Sequence, residues 1–322
     1  MPEYNKTEQI LANLTFESLK EQRAKRRWGI FFKLAFLVYF SALLLLIFRP
    51  TSNLLSQEKQ YERKPHVALI NIKGVIAPNQ KANAESLNQS LRTAFKSQKT
   101  LGIILKINSP GGSPVQSDEV FNQIMELRHQ HPKKKIFAIC EDVCASGAYY
   151  IASAANKIFA NQASSVGSIG VLMQSFGAVG AMKKLGLTRR LYTAGSHKGA
   201  MDPFSTVNLD TRKHIQTMLD DIHQRFIARV KEGRGKQLNL KKKDIFSGRI
   251  WTGHQAIKYG LIDGFGNARQ ISETYFKSTS FRNYNKKVNP IQRVLNRFST
   301  QVSSHLSSMI FRSIKNGLSS ID

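Results

Sequence analysis

The sequence predicts an α/β fold with a largely parallel sheet, preceded by one membrane-spanning helix. Three observations carry this reading. From residue 66 onward, short apolar runs alternate with amphipathic helical stretches, and strand–helix alternation is how parallel sheets are built. Residues 102–107 form an unbroken apolar run save for Lys106, as in a strand buried on both faces. Residues 28–48 make a 21-residue apolar stretch with a single charge, Lys33.

Residues 1–27 read as a basic cytoplasmic tail that ends in Lys20, Arg23, Lys25, Arg26 and Arg27. Residues 28–48 form the next segment, a transmembrane signal anchor. At ~1.5 Å rise per residue that length crosses a hydrocarbon core of ~30 Å, and Lys33 can snorkel to the head groups. The basic residues before it put the N-terminus inside and the rest of the chain outside the cytoplasm. No small-x-small site comes after the run, so the segment reads as uncleaved. Residues 49–64 are polar and aperiodic, a linker.

The body, residues 65–280, opens with a strand at 67–72. A helix at 84–96 presents Leu87, Leu91 and Phe95 on one face. After the strand at 102–107, the helix at 114–130 carries a stripe of Val120, Phe121, Ile124 and Leu127. A strand at 135–140 leads into an alanine-rich helix at 145–155. Short strands are expected at 157–160, 168–173 and 187–193. A long helix spans 209–232, and a helix-turn unit lies within 244–266. The basic extension, residues 281–322, contains an amphipathic helix at 290–315, suited to a membrane surface or to another subunit.

Composition narrows the function classes. A chain of 322 residues with 41% hydrophobic content is neither disordered nor polytopic. Its formal charge of +27 favours anionic surfaces. Zinc-finger spacing and the aromatic-basic pattern of RNA-binding sheets are both missing from the sequence, so membrane lipid rather than nucleic acid is the expected partner. The two cysteines, Cys140 and Cys144, flank a tight turn that suits buried thiols better than a disulfide. With eight scattered histidines and no CxxC or HExxH, neither a metal site nor a cofactor is expected.

Two motifs carry chemistry. The stretch Asp142-Val143-Cys144-Ala145-Ser146-Gly147-Ala148-Tyr149-Tyr150 puts a small-flanked serine where a strand turns into a helix. Upstream, Asn108-Ser109-Pro110-Gly111-Gly112 is a Gly-Gly turn after an apolar strand. Serine catalysis needs an accessible hydroxyl and backbone N–H groups that hold an oxyanion, and these segments can supply both. The serine also needs a base. No histidine occurs between Ser146 and Ser196. His197 and His254 are candidates, and so is Lys198, in the glycine-flanked stretch Gly195-Ser196-His197-Lys198-Gly199. A lysine serves as a base only where desolvation or nearby positive charge disfavours its ammonium form.

These residues resemble the signal peptide peptidase A (SppA, protease IV) family in its short, single-domain bacterial form. The resemblance runs from about residue 67 to 266. It rests on the two motifs above, on Ala163-Ser164-Ser165-Val166-Gly167-Ser168-Ile169-Gly170-Val171, on the Lys198 loop, and on Gly248-Arg249-Ile250-Trp251-Thr252-Gly253 with Gly260-Leu261-Ile262-Asp263. It implies a ClpP/crotonase-like fold of repeated strand-strand-helix units and a Ser-Lys dyad, with Ser146 as nucleophile and Lys198 as general base. Gly111 or Gly112, together with Gly147, would form the oxyanion hole. In short family members the lysine comes from the adjacent subunit, which implies a homo-oligomeric ring or dome, an octamer. The expected protein is a single-pass serine endopeptidase of the bacterial inner (cytoplasmic) membrane. Its catalytic domain is periplasmic, and it degrades cleaved signal peptides and other unfolded hydrophobic peptides. A non-catalytic membrane scaffold on the same fold is the alternative. A crotonase-type acyl-CoA enzyme is a third class, disfavoured because CoA is out of reach outside the cytoplasm.

Overall fold

The structure, a computed structural model, describes residues 3–48 and 64–285. The linker, apart from Lys64, and the amphipathic stretch 290–315 lie outside the described residues. The chain divides into two units, residues 1–64 and 65–322.

The first unit is one helix, α1 (Glu3–Phe48). From Trp28 to Leu43 its large apolar side chains are exposed on every side, Phe36 at 68% and Tyr39 at 66% among them. Among the described residues no helix is long and apolar enough to cross a membrane. The side chains of Leu44, Leu45, Leu46, Ile47 and Phe48, which complete the 28–48 run, are outside that description.

The second unit is a mixed α/β sheet with its helices. In chain order it contains β1 (His66–Lys73), α2 (Ala84–Lys96), β2 (Thr100–Ser109), α3 (Pro114–Gln130), β3 (Ile136–Ala145), α4 (Gly147–Ser153), β4 (Lys157–Ala160) and β5 (Ser165–Gly167). Then come α5 (Val179–Lys184), α6 (Leu209–Arg234), β6 (Ile250–Thr252), α7 (Gly253–Ala256), β7 (Gly264–Phe265), α8 (Ala268–Ile271) and β8 (Phe281–Asn283). The main path of the sheet is β6-β5-β3-β2-β1-β8, with β4 and β7 branching from β3. All its pairs are parallel except β5 with β6.

Helix boundaries are set by the capping residues. The Asn83 side chain accepts from the Ser86 amide (2.8 Å) and opens α2. Ser113 with Pro114 opens α3, and the Asn208 side chain accepts from the Thr211 amide (2.6 Å) at the start of α6. The strand centres are buried on both faces. Ile103, Leu105 and Ile107 join the large cluster under α2, α3, α4 and α6, whereas Ile104 packs on the other face with Phe137, Phe159 and Ile271.

β3 is the strand that builds the site. Its first half pairs with β4 and its last three residues pair with β5. Against β2 the register jumps, with Ile107 opposite Cys140 and Ser109 opposite Cys144. The two extra residues of β3 interrupt the ladder just before the turn at its end.

Several expectations need correction. Residues 187–193 form no strand: a strand needs a neighbouring strand for its backbone groups, and among the described residues no strand pairs with them. Residues 168–173 are not a strand either. β5 ends at Gly167, where Ser168 takes φ 52°. The 244–266 unit includes the three-residue strand β6. The last strand, β8, pairs with β1 and lies past residue 280, so the sheet extends beyond the expected end of the body.

Candidate active site

Ser146 joins β3 to α4 with φ 53° and ψ −127°. A non-glycine residue at positive φ costs ~1–3 kcal/mol and persists only where its surroundings hold it. Here the Ser146 amide donates to the Gly167 carbonyl (2.8 Å), and its carbonyl accepts from the Tyr150 amide (2.9 Å). The residue is half-buried. A serine held on a strained strand-to-helix turn is the geometry of a nucleophile elbow.

The Gly-Gly turn lies directly against it. A Cβ on Gly111 would stand 2.7 Å from the Gly147 nitrogen and 2.8 Å from the Ser146 Cβ. A Cβ on Gly112 would collide with the Ile76 carbonyl. Both residues have positive φ, 99° and 149°. The Gly111 carbonyl accepts from the Ile76 amide (2.9 Å). A trans peptide points its N–H opposite to its C=O, so the Gly112 N–H faces away from Ile76. The Gly112 nitrogen is 3.3 Å from where a Cβ on Gly147 would sit.

Two amides are thereby left open beside Ser146. The Gly111 N–H donates to Ser109 Oγ (3.1 Å) and is committed. The N–H groups of Gly112 and Gly147 have no partner among the described residues. Gly147 is the first residue of α4, where an amide has no intrahelical acceptor.

Beneath the turn, Cys140 and Cys144 are free and buried. Burial pushes the Cys144 thiol well above its ordinary range, and the neighbouring Cys140 adds to the shift. Such thiols pack and do not react.

Lys198 is exposed on a turn whose amide donates to the Gly195 carbonyl (3.1 Å). Its side chain makes no hydrogen bond or ion pair among the described residues, Ser146 included. The segment around it exposes Leu172, Phe176, Leu185, Leu187 and Val207, and Tyr192 at 88%. His197 is exposed, 3.7 Å from Asp210, and His254 is exposed on α7.

One histidine near the turn was not anticipated. His223 Nε2 donates to the Ile169 carbonyl (3.1 Å), two residues after the carbonyl that holds Ser146. Its only sequence signal is its place on the half of α6 that approaches the sheet.

The chain is similar to known peptidases. Residues 128–279, which include Ser146 and Lys198, match the model for peptidase family S49. An Enterococcus faecium protein provisionally named as the signal peptide peptidase SppA is 30% identical over 219 residues, covering 66% of this chain and 63% of that one. The chloroplastic serine protease SPPA of Arabidopsis thaliana is 30% identical over 239 residues, covering 73% of this chain and 34% of its own. A Brucella abortus protein named Na(+)/H(+) antiporter NhaA is 44% identical over 186 residues, covering 58% of this chain and 25% of its own. The chain thus spans less than two thirds of each of these relatives. Residues 128–279 thus match a peptidase family S49 domain, and the chain is similar to peptidases of the SppA type.

Proposed function

We propose that the chain is a membrane-anchored serine endopeptidase with a Ser-Lys dyad on a ClpP/crotonase-like fold. The observation that carries this reading is the strained Ser146 turn, with the unpartnered amides of Gly112 and Gly147 beside it. The Ser146 hydroxyl attacks a peptide carbonyl carbon, and a neutral Lys198 amine takes its proton. The Gly112 and Gly147 N–H groups hold the oxyanion that forms. The tetrahedral intermediate collapses, and the lysine's proton passes to the departing amine. Water activated by the same lysine then hydrolyses the acyl-enzyme.

Lys198 is supplied by a neighbouring copy in a homo-oligomeric ring, an octamer. In support, Lys198 makes no hydrogen bond with its own Ser146 among the described residues and lies within a segment rich in exposed leucine and aromatic side chains. Contiguous exposed apolar surface marks an interaction site. Closure of that interface would take the lysine out of water, as a lysine base requires. The 28–48 stretch anchors the assembly in the inner membrane with the body outside the cytoplasm; its all-round apolar surface suits lipid. Substrates are hydrophobic signal-peptide remnants and other unfolded peptides.

A serine-reactive phosphonate applied to the detergent-solubilised assembly tests this reading. Wild type should label at Ser146, while Ser146→Ala should not. Lys198→Ala should assemble but neither label nor turn over. Absence of labelling in assembled wild type would favour the non-catalytic scaffold.

A further inference from the structure

The short helix behind Ser146 cannot hold its own orientation. α4 has seven residues, well below the length at which a helix is stable by itself, and it begins at a strained residue. Its position therefore depends on side-chain anchors. The Tyr149 hydroxyl donates to the Leu261 carbonyl (2.7 Å), and Arg128 from α3 donates to the Ala154 carbonyl at the far end (2.6 Å). The third anchor is Tyr150, whose amide also holds the Ser146 carbonyl. Its ring packs against Phe226 (4.8 Å between centroids) and edge-on to Phe121 (5.6 Å). Its hydroxyl donates to Asp118 Oδ1 (2.6 Å).

Asp118 gathers donors from three helices. Besides Tyr150 of α4, it accepts from Arg229 Nε (3.1 Å) and Arg225 (3.2 Å) of α6, and from Asn122 (3.0 Å) of its own helix α3. Arg229 also bonds Glu232 (2.8 Å) and lies over the Phe121 ring. Burial works to raise the Asp118 pKa, but the bonds from Tyr150 and Arg225 and the charges of Arg229 and Arg225 outweigh it and hold the carboxyl below its usual range. Asp118 is therefore a carboxylate at neutral pH. α6 comes directly after the segment that carries Lys198, so this one carboxylate ties the nucleophile helix to the helix that leads out of the lysine segment.

We infer that Asp118 is a positioning residue for the nucleophile: acting through the Tyr150 hydroxyl, it fixes the rotation of α4 and with it the Ser146 hydroxyl and the Gly147 N–H. The inference rests on the proposed role of Ser146. Asp118 reaches neither substrate nor the reacting atoms. Releasing it would misplace two catalytic groups together while leaving the rest of the substrate path intact. Turnover should then fall with little change in binding.

Tyr150→Phe is the first test. It removes one oxygen and keeps the ring between Phe121 and Phe226, so the fold is retained. Asp118→Asn is the second, close in shape but without the charge. Both are measured on the full-length detergent-solubilised assembly, beside wild type and Ser146→Ala. Each variant should lower kcat at least tenfold with KM within twofold. The rate of phosphonate labelling should fall in proportion, while melting stays above the assay temperature. Asp118→Glu, which restores a carboxylate, should recover part of the loss. Wild-type kcat and labelling in a folded Tyr150→Phe, or a defect confined to KM, would overturn the inference. Failure of wild type itself to label would sink the endopeptidase reading instead, so the two failures are distinguishable.

Discussion

Gly112→Ala is the sharpest single perturbation of the proposed oxyanion site. The new Cβ would run into the Ile76 carbonyl, which already accepts from the Ser113 amide (2.8 Å). The Ile76 amide is engaged too, by the Gly111 carbonyl, so Ile76 clamps the turn on both sides. It cannot yield without breaking those bonds, and the turn itself must shift. The residue also sits at φ 149°, which an alanine adopts only with strain. The Gly112 N–H is therefore carried off the position it shares with Gly147. Loss of one oxyanion donor costs ~2.7–4 kcal/mol in the transition state, or about 10²–10³ in kcat. KM should change little, because the donor acts on charge that develops only during reaction. The assay is steady-state hydrolysis of an apolar peptide with a fluorogenic leaving group, with a melting curve to show that the variant is folded. A folded Gly112→Ala whose kcat stays within tenfold of wild type would refute the assignment of this amide.

The packing sets three further outcomes. Asp263→Asn should lower stability by ~3–5 kcal/mol, read as a fall in melting temperature, because Arg234 is 1% exposed and would keep a buried charge without its counter-ion. Asp118 has its pKa held below the unfolded value, so its stabilisation is complete above that value and is lost as pH falls through the folded one. Wild type should therefore lose melting temperature more steeply than Asp118→Asn as pH drops from about 5 to about 3. Tyr192→Glu, at a side chain that is 88% exposed in the single chain, should shift the assembly to smaller species on size exclusion and reduce activity in parallel; an intact, active assembly would remove the lysine segment from the subunit interface.

The parts of the fold legible in the sequence are those with local causes. α2 and α3 run over the expected residues because Asn83 and the Ser113-Pro114 pair set their first turns. The apolar run at 102–107 correctly implied burial on both faces. The features that escaped depend on partners far along the chain. β8 pairs with β1 across some two hundred residues and has only three residues of its own, too few for a periodic signal. Residues 187–193 have strand composition, but composition carries no neighbour. At the site, the serine turn and the Gly-Gly turn could be read directly. Which glycine amide stays free could not, since it depends on Ile76 taking the Gly111 carbonyl. Asp118 is one acid among 21 Asp and Glu residues, and its place under the serine helix emerges only when α6 docks.

The central claim is that Ser146 of one copy works with Lys198 of another, and subunit mixing tests it most directly. Ser146→Ala and Lys198→Ala are each expected to be inactive alone. Co-assembled in equal amounts, they should regain activity, since random mixing around a ring brings an intact serine beside an intact lysine at roughly a quarter of the sites. A mixture that stays inactive, although each variant demonstrably co-assembles with wild type, would contradict the account.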